Sequence, residues 1–345
     1  MDECTIILSY DIARIEAALD LADKLMATGA LYGKANPQAL EHLKRLRGHD
    51  RRYLAHEYFN RDWLPMSFAR MRGWMEGARL QYGTSAHYLD HVPMLNLNPA
   101  QQDMLAAIPD AILRETARDF VVNRLFRRDY WVRGARRLAI AERAECLRAQ
   151  RMILGQPAAK VKLKVSGSQG EASLHEDVYR PILDALADHK PRSLGEIEQR
   201  VAARGVHLAR IVEATMILAG SGALHPAQCI EAIRAAGAGT TRLNARLYGM
   251  ARYSEDVNCL ASPVTGGAVA VGRVDQLFLL ARSRGHDTGA EWAAFAGEAL
   301  EVQSHRILHD GRALEAEEQR QALLAQASTF EADRLPMLRA FGVAD

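Results

Sequence analysis

The chain has 345 residues, 48% hydrophobic and 25% charged, which is the composition of a folded globular protein with apolar residues for two or three cores. Its formal net charge of +2 gives no electrostatic reason to expect a nucleic acid or an anionic membrane as partner. The four cysteines lie far apart without a CxxC pair, which argues against a disulfide framework and against a zinc site.

The sequence shows neither a secretory signal nor a membrane-spanning apolar run. The N-terminal residues lack the basic start and the apolar core of a secretory signal. No apolar run reaches the 18 or so residues that a membrane-spanning helix needs. We therefore expect a soluble, cytoplasmic protein whose thiols are reduced.

Residues 1–48 predict two short amphipathic helices, over residues 11–28 and 37–47. The apolar residues of the first recur at a spacing of three or four and are Ile12, Ile15, Ala18, Leu19, Ala22, Leu25 and Met26. Asn36 and Pro37 are residue types of a helix cap and a first turn. Because each helix has one apolar stripe, we expect the pair to pack on the next module or on a second copy of the chain.

From residue 50 to residue 150 the pattern stays helical. Helices are expected over 66–78, from Pro99 onward, over 110–128 and over 139–154, and the best strand or turn candidate is 80–85. The helix over 110–128 is amphipathic, and its expected buried side consists of Ile112, Leu113, Phe120, Val121, Leu125 and Phe126.

The spacing of apolar residues changes at Lys160 from a helical pattern to strict alternation. Lysines and apolar residues alternate up to Val165, as in a half-buried strand. A hairpin is expected to return over residues 171–174, and three helices follow, over 176–188, 194–203 and 207–220. Ser193 and Glu196 form a capping box at the start of the second helix. With a short strand after Gly222, this order is typical of a winged helix-turn-helix.

The C-terminal part predicts a loop around residues 254–259 and helices over 273–284, 289–303 and 314–341. Pro336 is expected to break or bend the last helix, because proline cannot donate a backbone hydrogen bond.

No segment combines the strand, glycine-rich turn and helix that bind a dinucleotide or S-adenosylmethionine. Gly220 and Gly222 follow a helix instead of a strand, and Gly266 and Gly267 are not flanked by alternating strands and helices. The expected fold is therefore mainly α, a helical domain followed by an α+β winged-helix domain, with no Rossmann-like sheet. We expect no cofactor to bind to this chain itself.

His56 and Glu57 begin an HExxH zinc motif, but Asn60 stands at the fifth position, where the second zinc-binding histidine would be. The polar group His56, Glu57, Tyr58 and Asn60 therefore either ends a helix or lines a site. Ser262 is not preceded by the GxSxG elbow of a serine nucleophile. The sequence predicts neither a metal site nor a catalytic residue.

The segment from Arg114 to Arg151 contains 11 arginines and no lysine, against 5 acidic residues. Arginine suits bidentate pairing with carboxylates, so the run is either a solvated helix face or a docking surface for an acidic partner. By contrast, residues 207–216 of the possible recognition helix offer one arginine and one glutamate and are otherwise mainly apolar. That helix would read DNA poorly, so protein interaction is favoured over DNA binding.

An ordered set of motifs resembles a known family. RYLAHEYFN at 52–60, WLP at 63–65, YGTSA at 82–86 and RDFVVNRLFRRD at 118–129 resemble the methyltransferase regulatory domain of bacterial class I methyltransferases. LASPVTGG at 260–267 and residues 330–338 are similar to the C-terminal winged-helix domain of bacterial protein-lysine methyltransferases. The resemblance as a whole spans about residues 45–342.

The resemblance implies three parts: a helical segment over 1–48 similar to the family's dimerisation segment, a regulatory domain over 49–156 and a winged-helix domain over 157–345. The family's S-adenosylmethionine-binding domain has no counterpart in this sequence. The resemblance thus implies a non-catalytic, homodimeric, regulatory and substrate-binding part of a split or truncated methyltransferase, with the cofactor in a partner chain or missing domain. The alternatives are an active protein methyltransferase with an unrecognised cofactor site and a winged-helix DNA-binding protein. The residues expected to hold the protein partner or substrate are His56, Glu57, Tyr58, Asn60, Arg124, Arg127 and Arg128.

Overall fold

The computed structural model describes residues 3–60, 62–303, 306–309 and 312–344. Over these residues the protein is mainly helical, and its strands form antiparallel sheets of two or three strands. The chain divides into two compact units, residues 1–71 and 72–345. The expected domain boundaries at residues 48 and 156 stay a prediction. No helix of the described part is long and apolar enough to cross a membrane.

Unit 1 consists of helices around a small apolar core. The helices are α1 (Glu3–Ala27), α2 (Leu31–Ala35), α3 (Pro37–Arg47) and α4 (Arg51–Glu57). The core is formed by Ile15, Leu19, Leu43 and Leu54. Arg47 of α3 donates hydrogen bonds to Asp20 and Asp23 of α1, at 2.6 and 2.8 Å. Both expected helices are present, and α2 is a further helical turn that the pattern did not predict.

The next helix, α5 (Phe68–Gly77), crosses the division between the units. Unit 2 continues with β1 (Gln81–Ser85), a 3₁₀ turn (Tyr88–His91), α6 (Pro93–Asn96), α7 (Pro99–Ala106), α8 (Ala111–Val121), β2 (Asp129–Val132) and α9 (Ile140–Ala149). Strand β1 pairs with β2, so the expected strand at 80–85 is confirmed. The expected helix over 110–128 is wrong beyond Val121, because Asn123 adopts a left-handed backbone with φ of 48° and ends the helical turn.

A three-stranded sheet and three helices surround the second core of the protein. The sheet has the order β6-β3-β7, with β3 (Arg151–Leu154) between β6 (Arg192–Ser193) and β7 (Leu224–Ala227). The expected helix over 139–154 is therefore wrong at its end, since residues 151–154 pair with strands on both sides and bury Ile153 and Leu154 completely.

The elements expected around this sheet are present. They are the hairpin β4 (Lys164–Gly167) and β5 (Gly170–Ser173) and the helices α10 (Glu176–Ala185), α11 (Leu194–Val201) and α12 (Leu208–Gly220). Ser193 and Glu196 form the expected capping box, and Gly205 turns the chain with φ of 71°. The middle strand of the sheet precedes the three helices in sequence. The winged-helix assignment stays a prediction.

The C-terminal part surrounds another core, in which Phe278, Trp292, Phe330 and Phe341 are almost fully buried. Its elements are α13 (Ile230–Met250), β8 (Cys259–Ser262), β9 (Gly267–Ala270), α14 (Arg273–Ser283), α15 (Gly289–Glu301), β10 (Leu308–His309), β11 (Arg312–Ala313), α16 (Ala316–Thr329) and α17 (Leu335–Ala340). A π-helical turn at residues 330–334 separates α16 from α17, just before Pro336. The break expected there is confirmed, and Ser262 has a structural role, since its hydroxyl donates to the Phe341 carbonyl at 2.7 Å.

Gly167, at the end of β4, permits a close approach between the hairpin and α6. A Cβ atom at Gly167 would lie 2.1 Å from the Leu95 carbonyl oxygen, a backbone atom that cannot turn aside. We predict that Gly167→Ala lowers the free energy of unfolding by about 1–3 kcal/mol, because one of the two segments must move. Thermal unfolding followed by circular dichroism measures the effect.

Gly239→Ala is the matched control, because Gly239 lies in the middle of α13 with no neighbouring atom near its Cβ position. Alanine there should stabilise the protein by about 0.5–1 kcal/mol through its higher helix propensity. If both variants shift the unfolding midpoint in the same direction, the close packing of the hairpin on α6 is wrong.

Candidate functional site

The four site residues expected in unit 1 lie at the end of α4. His56, Glu57 and Asn60 are exposed, and the Asn60 side chain accepts a hydrogen bond from the Asp62 backbone at 2.9 Å. Tyr58 is half-buried, with its ring centroid 5.8 Å from that of Trp63. The four residues thus form a helix end beside an aromatic cluster. Their role in lining a site stays a prediction.

Arg127 is the centre of an ionic cluster in unit 2. Its guanidinium donates to Asp119 at 2.7 Å, to Asp129 at 2.8 Å and to Glu115 at 3.0 Å. All four side chains are at most 19% exposed, so the charges are largely shielded from water. One guanidinium thus joins two residues of α8 to β2.

Two groups in or beside the cluster, Tyr82 and Asp119, have raised pKa values. Burial, and after it the Glu115 carboxylate, raises the pKa of Tyr82 to about 12. Burial also raises the pKa of Asp119, although Arg127 opposes that shift. Arg127 therefore compensates three carboxylates whose ionised forms would otherwise repel one another.

Arg124, the second expected docking arginine, pairs with Asp90, while Arg118 donates to the Asp90 backbone carbonyl at 2.7 Å. Burial alone would raise the pKa of Asp90, but the Ser85 hydroxyl and these two arginines together lower it below its usual value. Arg128 is exposed and has no ion-pair partner among the described residues. The structure thus commits Arg124 and Arg127 to contacts within the chain and leaves Arg128 open to solvent.

The outer face of α8 is apolar. Leu113 and Phe120 lie seven residues apart on one side of the helix and are 58% and 82% exposed, and Leu125 and Phe126 just beyond it are 87% and 75% exposed. The expectation that these residues form the buried side of the helix is wrong. The side that faces the protein carries Glu115 and Asp119, which Arg127 holds.

The lack of buried apolar residues extends beyond α8 along the chain. From residue 106 to residue 151, all of which the structure describes, no residue is buried. Tyr130 and Ile140 add to the exposed apolar side chains of this stretch. Such a concentration of exposed apolar residues in one segment is typical of an interaction surface.

Beside this surface lies a cavity of about 390 Å³ in unit 2. It is lined by the Asp90–Arg124 pair, by His87, by Asn123 and by Ser166 of the β4–β5 hairpin, among others. Except for Arg124, the sequence did not predict these residues, because they come from three separate segments. The available signal was Asn123, since asparagine is a residue type that tolerates the left-handed backbone found there.

Arg127→Met should destabilise the protein by about 3–5 kcal/mol, because three shielded carboxylates lose their common counter-charge. Burial already raises the pKa of Asp119, and Arg127 would no longer oppose that shift, so protonation of Asp119 at lower pH relieves part of the repulsion. We therefore expect the loss relative to wild type to be larger at pH 8 than at pH 5. Denaturant unfolding at both pH values measures it.

Arg128→Met is the control for that prediction, since it removes a neighbouring exposed arginine from the same run. We expect a change within about 0.5 kcal/mol at either pH. Equal losses for the two variants would show that Arg127 does not hold α8 in place.

Comparisons with known proteins show what parts of the chain are similar to. Residues 50–133 match the family described as predicted methyltransferase regulatory domain. The chain is 36% identical over 333 residues to the uncharacterized protein sll1526 of Synechocystis sp. (strain ATCC 27184 / PCC 6803 / Kazusa), covering 96% of this chain and 65% of that protein.

In structure, the chain is similar to PKMT2 from Rickettsia typhi. For the complex of PKMT2 with AdoHcy the TM-score is 0.56, covering 95% of this chain and 66% of that one. For a second PKMT2 structure the TM-score is 0.51, with 87% and 63% covered. Both share 15% sequence identity with this chain, so they show a common fold alone. The chain spans slightly less than two thirds of the relatives that it matches. The match over residues 50–133 agrees with the expected resemblance to a methyltransferase regulatory domain over that part of the chain.

Proposed function

We propose that this chain is the regulatory and polypeptide-binding part of an S-adenosylmethionine-dependent protein methyltransferase and is not catalytic by itself. The methyl donor would bind to another domain, in a separate chain or elsewhere in a longer protein. The match of residues 50–133 to a methyltransferase regulatory domain supports an association with a methyltransferase. The similarity in fold to PKMT2 supports a protein as the substrate class.

The observation that carries this proposal is the apolar outer face of α8, inside the matched domain. Full burial of a leucine or phenylalanine side chain contributes about 1.5–3 kcal/mol, so covering Leu113 and Phe120 would favour a complex by several kcal/mol. Behind this face the Arg127 cluster fixes the helix to β2, so the surface is held in place before a partner arrives. An ordered apolar surface suits a protein partner better than a small polar substrate.

A homodimer through residues 1–48 is a further part of the proposal. Leu21, Leu25, Leu31 and Tyr32 are exposed apolar side chains in this segment, which supports a contact with a second copy. The DNA-binding alternative has weaker support, because Arg210 of α12 pairs with Glu213 at 3.5 Å and most of the helix is packed into the core. Size-exclusion chromatography with light scattering tests the dimer.

Equilibrium binding of S-adenosylmethionine separates this proposal from the active-enzyme alternative. We expect no measurable binding to residues 1–345 by isothermal titration calorimetry, which means a dissociation constant weaker than about 1 mM. PKMT2 from Rickettsia typhi, which has been observed with AdoHcy, is the positive control. Micromolar binding by this chain alone would replace the proposal with the active-enzyme alternative.

The double variant Leu113→Ser with Phe120→Ser tests the docking face. Because neither side chain belongs to a core, its unfolding midpoint should stay within a few degrees of wild type. Its affinity for a methyltransferase chain that co-purifies with the wild-type protein should fall at least about tenfold, measured by surface plasmon resonance.

Leu243→Ser is the matched control for this face, since Leu243 is half-exposed on α13 outside the matched domain. It should leave the affinity unchanged. A loss that is equal for both variants would remove the assignment of the outer face of α8 as the docking surface.

A further inference from the structure

The 390 Å³ cavity is large enough for a ligand, since binding pockets measure about 300–1,000 Å³. Its walls come from four segments: the turn around His87, the end of α6 with Asn96, the loop after α8 and the tip of the β4–β5 hairpin. The hairpin is fixed there by the close approach of Gly167 to Leu95. The cavity is therefore a built feature of unit 2.

The charges that line the cavity balance. Asp90 pairs with Arg124, and the Ser85 hydroxyl donates to the second Asp90 oxygen at 2.7 Å. Neither charged group is left for an ionic ligand to neutralise. A charged ligand would therefore be desolvated without a free counter-charge, whereas a neutral ligand avoids that cost.

Three polar groups remain open at the cavity. The Nδ1 atom of His87 is buried without a hydrogen-bond partner, 3.8 Å from Asp90. Among the described residues, neither the Asn123 side-chain amide nor the Ser166 hydroxyl has a protein partner, and both side chains are exposed. Imidazole, carboxamide and hydroxyl groups can all donate or accept, which matches the alternating N–H and C=O groups of an extended peptide.

Leu125 and Phe126 complete the lining and are among the most exposed apolar side chains of the chain. A small polar molecule in the cavity would leave both in contact with water. A polypeptide can bind the polar groups through its main chain and cover these two residues with an apolar side chain at the same time.

We propose that this cavity binds an extended, uncharged segment of a partner or substrate polypeptide, with one apolar side chain placed on Leu125 and Phe126. The polar contacts come from His87, Asn123 and Ser166. This inference rests on the proposed function in one respect, that the chain binds a polypeptide. It adds the class of segment that is recognised and the place where it binds.

Selection of a phage-displayed dodecapeptide library on the full chain tests the inference. We expect the enriched peptides to share an uncharged stretch that contains one apolar residue. An acidic or basic consensus, or no enrichment at all, overturns the inference. Affinities of the selected peptides are then measured by fluorescence polarisation.

Asn123→Gly is the sharpest variant, because glycine keeps the left-handed backbone while the carboxamide is lost. Loss of one hydrogen bond should weaken peptide binding about three- to tenfold. The control is Arg79→Gly, which replaces another residue of positive φ, 57°, that does not line the cavity. Equal effects of the two variants overturn the inference.

Phe126→Ser should weaken peptide binding at least about tenfold. Met94→Ser is its control, since Met94 is equally exposed, at 75%, and does not line the cavity. Peptide binding that is insensitive to Phe126→Ser also overturns the inference.

The two proposals fail in different experiments. If the chain alone binds S-adenosylmethionine while cavity variants still lose the selected peptides, the proposed function fails and the peptide site stands. If the outer face of α8 binds the methyltransferase chain but no peptide is selected, the peptide site fails and the proposed function stands.

Discussion

The ion cluster of Arg127 decides which way α8 faces. A single guanidinium binds Glu115 and Asp119 of the helix and Asp129 of β2, so the acidic side of α8 is turned toward the protein. The apolar side, with Leu113 and Phe120, is therefore left outside. Shielded carboxylates without a counter-charge are costly, so the cluster is stable only while Arg127 satisfies all three. The surface proposed for docking is thus a consequence of a polar interaction on the opposite side of the helix.

The end of α8 connects that cluster to the cavity. Asn123 takes the left-handed conformation directly after the helix, and the chain turns so that Leu125 and Phe126 leave the helical face. Arg124 then reaches Asp90 while Arg127 reaches the carboxylates of α8 and β2. Within the five residues from Asn123 to Arg127 the chain therefore fixes the proposed docking face, one wall of the cavity and the pair that neutralises its charge.

Much of the fold could be predicted because the determining interactions are local. The capping box of Ser193 and the break before Pro336 depend on residues within a few positions of one another. The orientation of α8 could not be predicted in this way, because apolar spacing shows which residues share a face but not which molecule covers it. The cavity was missed for another reason: His87, Asn123 and Ser166 meet only in the folded chain.

No residue between 106 and 151 is buried, so this segment has no apolar core of its own. In this stretch charge pairs and hydrogen bonds, above all those of the shielded Arg127 cluster, hold the segment together. The apolar side chains contribute little while they are exposed. A partner that covers Leu113 and Phe120 adds the missing apolar burial and stabilises the segment by mass action. By thermodynamic linkage, a second ligand that stabilises the same segment would raise the affinity for the partner. The loop after α8 lines the cavity, so a polypeptide bound there would be coupled to the docking face through Arg124 and Arg127.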